Sequence, residues 1–220
     1  EDEIEALQDH LHLLKSLGST AMVFCEVTHC VHGQKETPVS KRPKMTEAQW
    51  AEFLPKLETV GQYLQDQGVA LAYHHHMGTV IESQHEVDLL MKHTGPSVGL
   101  LLDTGHMTFA GGNPLEVQAK HADRIIHVHC KDLRPEILKD AKNRDISFLN
   151  AMLNGVFTVP GDGFIDYSSL FKQLKASNYS GWLVVEAEQD PAVAHPLTYA
   201  TLGANNLKAL CAESGLDIVQ

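Results

Sequence analysis

Residues 98–102 (VGLLL) are apolar at every position, and the run stops at Asp103, Thr104, Gly105 and His106. So short a run without a polar break predicts a strand buried on both faces, as in a parallel sheet, rather than a helix. Around it the pattern alternates. Ile4, Leu7, Leu11, Leu14 and Leu17 recur at helical spacing, and Gly18 closes that helix. Residues 21–27 read as a strand that delivers Glu26. Residues 28–43, polar and broken by Gly33, Pro38 and Pro43, read as a long loop of the kind that carries binding groups. A helix follows over 46–68, with Thr46 and Gln49 as a reciprocal cap and Pro55 inside it.

Strand 69–73 runs straight into His74, His75 and His76, and a helix covers 83–93. Beyond the central strand come a helix over 114–121 and a strand over 124–130. Residues 133–155 read as an irregular insertion with one short helix. A short strand over 156–159 then leads into the Pro-Gly-Asp-Gly turn at 160–163. The pattern ends with a helix over 167–177, a strand over 182–185 and a helix over 198–214. Strand and helix in strict alternation mean βαβ units and a parallel sheet. The six predicted strands each end in polar or ionisable residues. An eight-stranded (β/α)8 TIM barrel takes about 250 residues. A single α/β domain over 1–220 therefore corresponds to such a barrel without about two βα units at its amino end.

Charge narrows the function. The formal net charge is -11, with 28 acidic against 17 basic residues, a field that repels nucleic acid. No apolar run approaches the roughly 20 residues of a membrane span. The opening residues do not read as a signal peptide. Cys25, Cys30, Cys130 and Cys211 show neither ligand spacing nor a disulfide framework, so free thiols in a cytoplasmic protein are expected.

The 14 histidines matter for where they fall. Successive strand ends present His74, His76 and Glu82, then Asp103 and His106, then His127 and His129, then Glu186 and Glu188. In a parallel α/β fold these ends face the ligand crevice. Carboxylates mixed with imidazole suit Mn²⁺, Co²⁺, Fe²⁺ or Mg²⁺ better than a thiolate zinc cage does. Alternation along a strand gives His127 and His129 one face, and Glu186 and Glu188 another. One of each pair is then expected at a metal and its partner toward substrate.

The segments HHHMGTVIES, VGLLLDTGHMTFAGGNP, IIHVHCKDLR, VPGDGFIDY and GWLVVEAEQDP resemble the myo-inosose-2 dehydratases of bacterial inositol catabolism. These belong to the xylose isomerase-like barrel superfamily. The resemblance spans about 24–191 and implies one divalent ion, Mn²⁺ or Co²⁺, held by residues from four strands. By motif these are Asp103, His129 and Glu186, with Glu82 as the fourth ligand and His74 or His76 as its alternatives. Glu188 is the alternative to Glu186. It implies a neutral polyol ketone, 2-keto-myo-inositol, losing water to give a trihydroxycyclohexane-1,2-dione. His76, His106 and Lys131 are the candidates for proton transfer. Glu26, His32, His74, His127 and Arg134 are those for substrate contact. Glutathione and a homo-oligomer also follow from the resemblance alone. The rival readings are a metal-dependent sugar isomerase or epimerase using the same enediolate chemistry, an abasic-site endonuclease, and an inactive binding protein.

Overall fold

The computed structural model describes residues 2–219. The elements in chain order are α1 (Asp2–Ala6), α2 (Gln8–Ser16), β1 (Ala21–Phe24), a 3-10 turn (Val39–Lys41), α3 (Glu47–Asp66), β2 (Ala70–His74) and α4 (Gln84–His93). They continue with β3 (Val98–Asp103), α5 (Thr104–Phe109), α6 (Pro114–His121), β4 (Ile125–Cys130), β5 (Asp132–Leu133) and α7 (Pro135–Arg144). The last are α8 (Phe148–Leu153), β6 (Phe157–Thr158), α9 (Tyr167–Ala176), β7 (Trp182–Val185) and α10 (Pro196–Ser214).

Five strands form one parallel sheet in the order β1-β2-β3-β4-β7. The central strand behaves as its composition requires. Every residue of β3 is buried, with Leu100, Leu101 and Leu102 each at 0% exposure. Burying one such side chain contributes roughly 1.5–3 kcal/mol. α3 and α6 pack on the outside of β2 and β3, and α3 contributes Leu57, Val60 and Leu64 to the main core. Both halves of the Thr46–Gln49 capping box are formed. α3 runs as one helix through Pro55.

Three expectations are corrected. Residues 156–159 do not supply a sixth strand to the sheet. Phe157 and Thr158 pair antiparallel with Leu133 and Asp132 in a separate two-stranded ribbon. Three apolar residues around Thr158 show burial but not which partner provides it. The stretch 133–155 is not irregular. It folds as α7 and α8, which bury Leu138, Ala141, Phe148 and Ala151 with Met77, Phe109 and Phe157 in a second core. Pro135 at the start of α7 and Ser147 capping α8 are ordinary helix starts. The amino-terminal helix is two helices that meet at Leu7, where ψ is -3°.

Candidate metal and proton-transfer site

Strand register gathers the site. His74 at the end of β2 lies beside Leu101, two residues before Asp103 and therefore on the same face. Asp103 lies directly beside His129 of β4. His129 lies beside Val184 of β7, and Glu186 follows just past that strand. Three neighbouring strands and the extension of a fourth thus aim one polar side chain each at a common point.

Asp103 is tied down from two sides. Its Oδ1 accepts the His106 N–H at 2.8 Å and so starts α5, and its own N–H donates to His75 Nε2 at 3.2 Å. Its Oδ2 is left facing His74 Nε2 at 3.4 Å and His129 Nδ1 at 3.5 Å. His129 Nδ1 lies 3.0 Å from Glu186 Oε2. Three of these atoms, His74 Nε2, Asp103 Oδ2 and His129 Nδ1, are buried and complete no hydrogen bond, while Glu186 Oε2, also buried, has the Lys131 ammonium at 2.8 Å. Three buried polar atoms without hydrogen-bond partners, converging from rigid backbone beside a carboxylate, are what a cation would satisfy. The His74, Asp103 and His129 ligand atoms lie within 4.8 Å of one another.

Next to this group sits a second one. Lys131 is fully buried. Its Nζ lies 2.8 Å from Glu186 Oε2, 2.8 Å from Glu188 Oε2, 3.0 Å from His106 Nε2 and 3.5 Å from Asp103 Oδ2. The rings of His76 and His106 are 3.8 Å apart, and His76 Nδ1 lies 2.8 Å from the Met77 carbonyl. A carbonyl only accepts, so His76 carries its proton on Nδ1 and presents Nε2 as a lone pair.

Burial and these neighbours set the charges. Burial works against ionisation of Asp103, but Lys131 and the surrounding imidazoles outweigh it and hold the carboxyl well below the usual range. Glu186 is likewise desolvated, yet His129 and Lys131 bring it down to about 2. Burial alone would lower His129. The carboxylates of Asp103 and Glu186 reverse that and raise it to about 9. Lys131 is raised by Asp103, Glu188 and Glu186 against its own desolvation and stays an ammonium. Burial pushes His76 down to about 3 and His106 well below its ordinary value, so both are neutral.

The other residues singled out from the sequence fall as follows. His32 stands edge-on to His76 with ring centroids 5.3 Å apart, and His127 stands at the same distance from His129. Both leave a buried Nδ1 without a partner. Glu26 accepts the Thr28 N–H. Glu82 is not brought to the cluster. Its Oε1 pairs with Arg42 at 3.1 Å and its Oε2 accepts the Gly78 N–H at 2.7 Å. It anchors the long loop, with Arg42 also clamped on Glu86 and the Thr79 carbonyl. Arg134 is also committed elsewhere. It donates to the carbonyls of Gly155 and Phe157, and to Thr158, Asp162 and Tyr199. Two residues with roles here were not singled out: His75, which holds the Asp103 backbone, and Thr104, whose hydroxyl bridges the Lys131 backbone and Tyr167. Thr104 carried no visible signal, whereas His75 was visible within the histidine run.

This fold and site define a class, the xylose isomerase-like TIM barrels. The chain belongs to that family, which its residues 1–210 match. Among curated proteins it is 47% identical to the rhizopine catabolism protein MocC of Rhizobium meliloti, over 97% of this chain and 66% of that protein. It is 45% identical to an inosose dehydratase of Clostridium botulinum, over 94% of this chain and 70% of that protein. The chain thus spans about two thirds of the length of these relatives. Among solved structures, the IOLI protein with a bound zinc atom superposes with a TM-score of 0.67 at 17% identity, covering 99% of this chain and 70% of that one.

Proposed function

We propose that this chain carries the catalytic face of an inosose dehydratase, a hydro-lyase that converts 2-keto-myo-inositol into a trihydroxycyclohexane-1,2-dione. One observation carries the reading. Three buried ligand atoms without hydrogen-bond partners, of His74, Asp103 and His129, meet the Glu186 carboxylate at the carboxyl end of the sheet, in a chain 43–47% identical to MocC and to several inosose dehydratases.

His74, Asp103, His129 and Glu186 are the residues that would hold a divalent ion, with His74 in place of Glu82. Mixed imidazole and carboxylate donors suit Mn²⁺ or Co²⁺. When bound, that ion supplies Lewis-acid polarisation of the substrate's ketone oxygen. The neighbouring residues handle protons. The carbon next to a ketone carries a weakly acidic hydrogen, and neutral His76 offers Nε2 as the base. Lys131 is already protonated and cannot take that role. Its ammonium donates toward the departing hydroxyl, and His106 shares its proton at 3.0 Å. His32 and His127, with unused buried nitrogens, supply hydrogen bonds to substrate hydroxyls. No step uses glutathione.

The acidic balance fits a neutral small molecule better than nucleic acid. Among the described residues no helix is long and apolar enough to cross a membrane, and four free thiols support a cytoplasmic setting.

The test is proton NMR of scyllo-inosose with the protein in D₂O, with added Mn²⁺ and then EDTA. Metal-dependent appearance of the diketone is expected. Deuterium incorporation without loss of water would make the protein an isomerase or epimerase instead.

Two further results follow. An ion must displace the His129 proton, held up to about 9, whereas Glu186 and Asp103 are already ionised. Apparent affinity should therefore weaken about tenfold per unit as pH falls below about 9. Titration calorimetry between pH 6.5 and 8.5 reads the slope, and an affinity independent of pH would contradict the charge assignment. Glu82→Gln should leave ion stoichiometry unchanged and turnover within about twofold, while lowering stability by about 1 kcal/mol. Loss of the ion from that variant would return Glu82 to the ligand set.

A further inference from the structure

The His76, His106 and Glu188 ligand atoms also gather within 4.8 Å of one another, as a second set beside the first. Imidazole nitrogens and a carboxylate at that separation are a donor set for a divalent ion. In this chain a cation already stands against two of the three. Lys131 Nζ is 3.0 Å from His106 Nε2 and 2.8 Å from Glu188 Oε2, and it reaches across to Glu186 at 2.8 Å.

The lysine is seated by its surroundings. A Cβ on Gly105 would lie 2.7 Å from Lys131 Cγ and 2.9 Å from both its Cβ and its Cδ. Gly105 lies inside α5 and is not among the glycines with positive φ. Alanine is the better helix former at such a position. The conformation does not call for it, but the lysine stem does. Phe157 closes the other side, with Nζ 5.1 Å from its ring centre.

We propose that Lys131 is a built-in cation filling what would otherwise be a second divalent-ion site made by His76, His106 and Glu188. This rests on the single-ion reading above and extends it. The chain is a one-metal protein because its second cation is covalent. An ammonium donates directed hydrogen bonds to His106, Glu186 and Glu188, which a bare second metal ion cannot do. Removing the amine and its stem should therefore turn the pocket into a metal site.

The experiment is Mn²⁺ titration of the full chain, with bound equivalents and electron paramagnetic resonance as the readouts. Wild type should bind one ion with an isolated-ion spectrum. Lys131→Ala should bind two, with the spectrum of a spin-coupled pair, and adding His106→Ala should remove the second. On an Asp103→Asn background the count should rise from none to one when Lys131→Ala is added. A folded Lys131→Ala protein that gains no ion over its parent overturns the inference, as does a wild type that takes up two. If Lys131→Ala does not fold, Lys131→Ser serves as the second variant: it should bind two ions, and a folded protein that binds only one overturns the inference. A wild type that binds no ion counts against the single-ion reading, while the gain caused by Lys131→Ala still reads this inference separately.

Discussion

Asp103→Asn is expected to abolish ion binding and to lower kcat by at least about a thousandfold, equivalent to about 4 kcal/mol of barrier. The substitution keeps the shape of the side chain. The amide oxygen can still accept the His106 N–H that starts α5, so the helix and the strand register remain. What changes is the atom facing His74 and His129. An acceptor with full negative charge becomes an amide group whose nitrogen donates, set against Lys131 at 3.5 Å. Three cation ligands cannot compensate for a donor at the centre of the site. Metal content by mass spectrometry and turnover by NMR read the two effects. Retention of one ion per chain with kcat within tenfold would remove Asp103 from the site.

His76→Gln is expected to act on chemistry and leave the ion in place. Glutamine can still meet the Met77 carbonyl, but it offers no lone pair of comparable basicity where His76 Nε2 stands. Loss of a general base costs about a hundredfold to ten-thousandfold in kcat. The substrate's exchange with D₂O should fall in parallel, because both require the same proton to leave carbon. Ion stoichiometry should stay at one. Loss of the ion would instead make His76 a ligand, and loss of dehydration with exchange intact would place it on the departing hydroxyl.

The face of the sheet that forms the site could be read from sequence, because strand period and strand end are local properties. Asp103 closes an unbroken apolar run and His129 alternates with His127, so the structure's placement of both at one sheet end needed no tertiary knowledge. Glu82 and His74 could not be separated that way. Which of them meets Asp103 depends on Arg42, 40 residues earlier, capturing Glu82, a contact made by a loop with no periodic signal. Arg134 follows the same logic. Its neighbours in sequence suggest a site, but the carbonyls that take it up belong to Gly155, in the turn before the ribbon, and to Phe157 within it. Residues 156–159 read as a barrel strand because Val156, Phe157 and Val159 record burial and not direction. α5 was hidden because its start depends on the Asp103 cap, and Asp-Thr-Gly-His equally spells a turn.

Cobalt substitution tests the central claim most directly. The visible spectrum of bound Co²⁺ reports both the number of ions and their ligand field. One equivalent should bind, its spectrum should change when scyllo-inosose is added, and the signal should vanish in Asp103→Asn. A Co²⁺ spectrum unaltered by Asp103→Asn and by the substrate would place the ion elsewhere, and the site built on His74, Asp103, His129 and Glu186 would fall.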